Sequence, residues 1–402
     1  MAEIIVGCAL SDVNRADLPR NLRVPERLGD YIDLYQARLE SPYVLLELQP
    51  EDLWTVPATF PDQFIPRKNN RWWRTAQAPD LLARLRAPNM LIGVHQPILN
   101  RDALSSNFFH KYEAIEATKQ AMEFAEYIDA DYFVFHLAQV DKWGWNRQDQ
   151  MEKAIKIFNV FATYYTAREM SFTPLIETLE FPKFPATGAE AFLMLRECRK
   201  ALRNTKLALN IAHLWSSRNL MLKTGNWSDE RVSFEASLEY ALDTLAGDIH
   251  IYDLSGGWES ETHAVPGLHP QQDPFRYPMK LRESASVYAE SGELDLNRVL
   301  ELMVTSTVRR DKDLNVVLQI FDRDIEQVLE AARLLRHDLV ARSNAPAMEY
   351  RPIRLELESK KKKRAPARRR TTTRQVPVAR AQKNGHSTTR KKKSAKKKTK
   401  KG

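Results

Sequence analysis

Eight short runs of apolar, often β-branched residues recur along the chain, most of them roughly 40 residues apart. They are Ile4–Leu10, Tyr43–Leu48, Met90–Val94, Tyr132–His136, Thr173–Thr178, Lys206–Ile211, Asp248–Tyr252 and Leu314–Phe321. Near-continuous apolar runs of this length suit strands buried on both faces, as in parallel sheets. Between them the apolar positions switch to helical spacing, most clearly over Tyr112–Ile128, where Ile115, Met122, Ala125 and Ile128 share a stripe. Further helices are predicted at Gln148–Glu169, Gly188–Leu202, Ser233–Leu245, Leu296–Thr307 and Asp324–Ala341. Strand and helix alternate eight times, and right-handed crossovers leave few closed arrangements for such a series. The pattern predicts an α/β fold, a (β/α)8 barrel over residues 1–343, with an open doubly wound sheet as the rival.

Two connections exceed the usual length, and long loops in compact domains tend to carry function. Gln49–Pro79 holds Trp54, Arg67, Lys68, Arg71, Trp72, Trp73 and Arg74. Leu254–Glu293 is rich in Gly, Pro, His and aromatics. The Trp/Arg-rich loop reads equally as a surface that stacks on bases or as core laid over the barrel rim.

Beyond about residue 343 the pattern ends. The stretch from Lys360 to Gly402 has 20 Lys and Arg and no Asp or Glu; of the chain's 61 basic and 52 acidic residues, the first 359 therefore keep 41 and 52. The overall +9 is an acidic body with a strongly basic tail. Residues 344–402, with Lys360, Lys361, Lys362, Lys363, Arg364, Arg368, Arg369 and Arg370, cannot bury enough apolar surface to fold and are expected to be disordered. Such a tail fits sequence-independent phosphate contacts with nucleic acid, DNA first, or a nuclear-localisation signal.

Two cysteines, Cys8 and Cys198, are too few for a disulfide framework and read as reduced structural thiols. The N-terminus lacks the basic and apolar stretches of a secretory signal, and no run reaches the roughly 18 apolar residues of a membrane span. The expectation is a cytoplasmic, nucleoid-associated or nuclear protein that is not secreted.

The candidate chemistry lies at the ends of these runs. His95 in MLIGVHQP, His136 in YFVFHLAQ, His213 in LALNIAHL, His250 in GDIHIYDL and His263 in ESETHAVP account for five of nine histidines, and PLIETLE ends in Glu177. Strands that deliver such side chains at their C-terminal ends are how a parallel barrel builds its active site. Imidazole and carboxylate there can hold zinc, manganese or similar ions. Asn210 and His213 are three apart, Glu261 and His263 alternate on one side of an extended segment, and the last strand offers Gln319 inward. Asp253 reads either as a partner orienting a histidine or as a loop cap.

The order HQPILN, FHLAQ, IETLE, NIAH, HIYD, ETH, PGLHP resembles the xylose isomerase-like TIM-barrel superfamily over about residues 1–325. In ligand count it is most similar to endonuclease IV, the apurinic/apyrimidinic endonuclease. That resemblance implies a metal-dependent hydrolase of DNA repair with two to three zinc ions. His95, His136 and Glu177 would form one site, and His213, Glu261 and His263 another. Glu177, Asn210, His250 and Gln319 would form the middle one. Glu177 would bridge ions and, with His136, serve phosphodiester cleavage at abasic sites. The family has Asp at the position of Asn210 and Glu at that of Gln319, so here two anionic ligands are neutral amides. The alternative implied by the same motifs is a sugar or sugar-phosphate isomerase or epimerase with a single Mn or Mg at the middle site. In the epimerases two glutamates exchange protons, and Gln319, at the position of one of them, has no useful basicity for this. A third reading is a catalytically impaired barrel associated with nucleic acid.

Overall fold

In a computed structural model of the chain, residues 2–11, 24–50, 71–97, 108–137, 147–181, 183–223, 233–255, 295–320 and 325–346 are described. They form a closed barrel of eight parallel strands in the order β1 to β8, with β8 pairing back to β1. The strands are β1 Ile4–Ser11, β2 Val44–Gln49, β3 Met90–His95, β4 Tyr132–Phe135, β5 Thr173–Glu177, β6 Lys206–Asn210, β7 Ile249–Leu254 and β8 Leu314–Leu318. Closure decides against the open sheet, and the fold is a (β/α)8 TIM barrel.

The helices are α1 Val24–Leu39, α2 Arg71–Ala76, α3 Pro79–Leu85, α4 Phe108–Tyr127, α5 Arg147–Ala167, α6 Gly188–Cys198, α7 Ile211–Lys223, α8 Phe234–Leu245, α9 Leu296–Ser306 and α10 Ile325–Asn344. Three carry side-chain caps that start them where the loops end: Thr187 accepts from Glu190 N–H, Ser233 from Ala236 N–H and Asp295 from Arg298 N–H.

Strand alternation divides the core into two layers. Inside the barrel lie Ile5, Ala9, Leu45, Tyr132, Val134, Leu175, Ala208, Ile251 and Val317. Their neighbours Val6, Leu46, Val94, Phe133, Ile176, Leu209 and Val316 face outward into the helix layer. Gly93 is required by this packing: a Cβ there would come within 2.0 Å of the Tyr132 ring. Cys8 and Cys198 are buried, and burial pushes the Cys8 thiol up to about 12, so it is inert.

Trp72 and Trp73 belong to the core. They are 1% and 8% exposed on α2 and meet Phe124 edge-on at 6.0 and 5.5 Å. The base-stacking reading of these two is corrected accordingly, because an indole buried under α4 cannot reach a nucleic acid. Trp54, Arg67 and Lys68 lie outside the described residues, as do Glu261, His263 and the tail from residue 347 on, with Lys360–Arg370. Among the described residues no helix is long and apolar enough to cross a membrane.

Candidate active site at the barrel mouth

Three strands and one helix start bring four of the predicted side chains together. His95 ends β3, His136 follows β4, Glu177 ends β5, and His213 lies in the first turn of α7. All four are at most 7% exposed. His213 sits on a helix: Asn210 closes β6 and Ile211 opens α7 with no residue between. Asn210 Oδ1 accepts from His213 N–H at 3.1 Å, so the strand's last side chain also caps the helix.

The tautomers of two imidazoles follow from their backbone partners. A carbonyl only accepts, so His95 Nδ1–H donates to Gln96 O at 2.7 Å and His213 Nδ1–H donates to Thr178 O at 2.9 Å. The Nε2 of each is left to face a carboxylate: Glu177 Oε2 at 3.1 Å for His95 and Glu180 Oε2 at 3.2 Å for His213. Two lone pairs repel at that distance, so a proton lies between His95 and Glu177. Burial alone would lower the His95 pKa, but the bond to Glu177 and the charges of Glu177 and Glu47 raise it to about 9. Burial likewise opposes ionisation of Glu177, yet His95, His213 and His136 bring it down to about 2. The two form a buried ion pair.

His136 behaves in the opposite way. Its ring lies 6.1 Å from that of His95, and burial, reinforced by Lys183, pushes it down to about 3. It is therefore neutral. Its main-chain N–H donates to Gln96 Oε1 at 3.0 Å, which ties the ends of β3 and β4 together. Lys183 also bonds Glu180 at 2.6 Å. Burial would raise Glu180, but Lys183 and His213 hold it well below the carboxylate range.

The other half of the mouth is made of amides. Asn210 Nδ2 donates to Glu177 Oε1 and to Gln319 Oε1, both at 3.0 Å. Gln319 Nε2 in turn lies 3.4 Å from Glu47 Oε1, which also accepts from Gln49 Nε2 at 3.2 Å. Glu47 is fully buried; burial raises its pKa against the pull of His95. Glu47, Glu180 and Gln96 were missed by the sequence reading. Glu47 carried a usable signal: it is the one charge in the apolar run VLLELQ, on the same strand face as Leu45.

His250 does not join the site. It is the second residue of β7, whereas Asp253, three residues later, pairs with Asn210 at the mouth. A register shift opposite Leu207 and Ala208 accompanies this. His250 instead meets the ring of Tyr132, the first residue of β4, edge-on at 5.8 Å. The expected place for His250 at the mouth is thus corrected; Asp253 occupies that level, fully buried.

The donor chemistry can now be compared with a metal centre. Among the described residues no three His, Cys, Asp or Glu side chains are grouped so as to hold an ion. Glu177 faces His95 Nε2 at 3.1 Å, His213 Nδ1 at 3.4 Å and the N–H of an amide, and both imidazoles already give Nδ1–H to a backbone carbonyl. The described residues do not fit an ion at the middle site, where Asn210 presents N–H to Glu177 and Gln319; Glu261 and His263 of the third site lie outside the described residues.

No family model matches the chain, and no curated protein does. Solved structures do match. One is the IolI protein with a bound zinc atom, 12% identical, with a TM-score of 0.52, covering 85% of this chain and 100% of that one. Another, from Anabaena variabilis, is provisionally assigned as a sugar phosphate isomerase/epimerase; it is 13% identical, with a TM-score of 0.50, covering 85% of this chain and 99% of that one. At these identities the likeness concerns the path of the chain: this protein has the barrel fold those structures have, over the same extent.

Proposed function

We propose that this barrel binds a sugar or sugar phosphate at its C-terminal mouth and moves a proton on a carbon beside a carbonyl, as an isomerase or epimerase of the xylose isomerase-like superfamily. The observation that carries this reading is the His95–Glu177 pair beside neutral His136. Environments that push titratable groups apart mark out an acid and a base. Glu177, ionised at neutral pH, takes the proton from carbon with Oε2, which is freed when the substrate's carbonyl oxygen replaces it as the acceptor of His95 Nε2–H. His95 Nε2–H gives its proton to the carbonyl oxygen as charge develops there, and the neutral His136 ring holds a substrate hydroxyl. Glu177 then gives the proton to the neighbouring carbon while the hydroxyl beside it returns a proton to His95, which yields the isomer. Gln319 has no part as a base, so this is not a two-glutamate epimerase. The solved barrel provisionally assigned as a sugar phosphate isomerase/epimerase supports the substrate class by fold alone.

The endonuclease reading fares less well. It needs nine ligands, of which Asn210 and Gln319 are amides and His250 stands at the opposite mouth. A divalent ion would supply charge stabilisation on the substrate oxygen where its ligands exist. The zinc of the IolI structure makes zinc the first ion to test, with manganese and magnesium next. The basic tail supports, by charge alone, a nucleic-acid tether. Removing residues 351–402 should abolish salt-sensitive binding to duplex DNA; unchanged affinity would take the tether away.

The test of the main reading is exchange in D2O. A panel of ketoses and ketose phosphates should lose the proton NMR signal of one carbon-bound hydrogen in the presence of the protein. Glu177→Gln should slow that exchange by about 100-fold or more, the scale of a positioned acid–base group. No exchange with any member of the panel would overturn it.

A further inference from the structure

We infer that the centre of the barrel mouth is closed by a directional amide bridge, Asn210 to Gln319, which takes the place of a cation and keeps divalent ions out of the position between β5, β6 and β8. The superfamily resemblance implies an ion there, and this chain's own residues disagree with it.

The direction of the bridge is settled by groups at its edges. His213 N–H can only donate, so the Asn210 atom 3.1 Å from it is the oxygen. The other end of the Asn210 amide is then Nδ2, and its two hydrogens meet the two acceptors at 3.0 Å, Glu177 Oε1 and Gln319 Oε1. With Gln319 Oε1 used as an acceptor, its Nε2 points to Glu47 Oε1. Each amide orientation fixes the next, from the cap of α7 on one side to Glu47 on the other.

A cation seated between Glu177 and Gln319 would face the positive edge of the Asn210 amide. Turning that amide to offer Oδ1 instead would leave His213 N–H without its acceptor, and Glu177 Oε1 and Gln319 Oε1 without a donor. Asn210 and Gln319 are 2% and 4% exposed, so water does not replace these bonds at little cost. The remaining oxygen of Glu177 is engaged by His95. Glu177 thus has a proton-bearing nitrogen at each oxygen, which is the work an ion would otherwise do.

The inference does not depend on which substrate the mouth takes, and its readout is metal uptake. Full-length protein, stripped by chelator, is titrated with Co2+ and followed by visible absorption and calorimetry. In the native chain, any cobalt taken up should be unaffected by Asn210→Ser, which retains a cap for α7, or by Gln319→Ala. The double variant Asn210→Asp/Gln319→Glu should bind one equivalent more than the native chain. Its affinity there should be tighter by more than about 100-fold, since even the outer partners of metal ligands are worth about 10–100-fold. Cobalt bound stoichiometrically by the native chain and lost in Asn210→Ser or Gln319→Ala would overturn the inference. So would a folded double variant that gains no equivalent. If four clustered carboxylates, with Glu47 beside position 319, stop the double variant folding, the two single variants still decide the question.

Discussion

His95, buried, and His250, half-buried, are imidazoles on barrel strands, one at each mouth, and their environments drive them in opposite directions. His95 is raised to about 9 and His250 lowered to about 4. Burial disfavours the charged form of both, so burial cannot be the difference. At the C-terminal mouth Glu177 Oε2 stands 3.1 Å from the ring and overcomes burial. At the N-terminal mouth the ring of Tyr132 meets that of His250, the His250 main-chain carbonyl accepts from Asn315 Nδ2 at 3.3 Å, and the charge acting on the imidazole is Lys206, which adds to the effect of burial. The same residue type on the same scaffold is an acid in one place and a neutral ring in the other. The charged imidazole therefore belongs to the mouth that supplies the carboxylate.

The largest expected effect comes from removing that carboxylate. Glu177→Gln should drop the pKa of His95 from about 9 towards or below the ordinary 6.5, read from imidazole proton shifts. Deleting one partner of a buried pair costs roughly 3 kcal/mol or more, so thermal stability should fall as well. The pH dependence should change shape. A raised His95 contributes fully below 6.5, and its contribution is lost as pH rises through about 9. A lowered Glu177 contributes above 4.5, and its share is lost as pH falls through about 2. The native plateau between 4.5 and 6.5 should flatten in Glu177→Gln. A His95 that stays near 9 in the variant would show that another group holds its charge.

The next effect is on the other histidine and has the opposite sign. His250 is lowered, so below 6.5 the unfolded chain takes up a proton that the folded chain refuses until about 4. Stability is lost across that interval, by at most about 3 kcal/mol at 1.36 kcal/mol per pKa unit. His250→Phe keeps a ring against Tyr132 and should remove this part of the acid sensitivity. Chemical denaturation of both proteins at pH 7 and pH 4.5 measures it. Equal losses in the two proteins would mean that His250 is not the group responsible.

How much of this was legible in the sequence depends on which force shaped each segment. The strands were, because β-branched runs buried on both faces have few other uses; all eight predicted runs correspond to strands. Helices α5, α6, α8, α9 and α10 were read to within a few residues from their spacing. Helix α7 was not, since IAHLWSSRNLMLK follows LALN without a polar break, and the change from period 2 to period 3.6 is hidden in one apolar stretch. The convergence of His95, His136, Glu177 and His213 was legible because each ends its run. His250 was misplaced because it opens its run, beside a register shift that no composition reports. Asn210 and Gln319 were recognised as weak ligands, but that they bond each other depends on the closure of the barrel, which brings together side chains 109 positions apart.

The smallest effect is the most discriminating test of the comparison. If burial is the main cause at His250 and Lys206 a minor one, Lys206→Met should move the His250 pKa up only slightly, leaving it well below 6.5. At His95 the order of causes is reversed in outcome: burial is present, and a carboxylate still prevails over it. The two variants Glu177→Gln and Lys206→Met each remove one charge beside one imidazole, so the ratio of their pKa shifts measures how much of each site is charge and how much is burial. Proton NMR of the two ring signals provides both numbers from the same titration. A shift at His250 as large as that at His95 would mean that the N-terminal mouth is also governed by a charge. The two ends of the barrel would then differ in the sign of their field, with burial secondary at both.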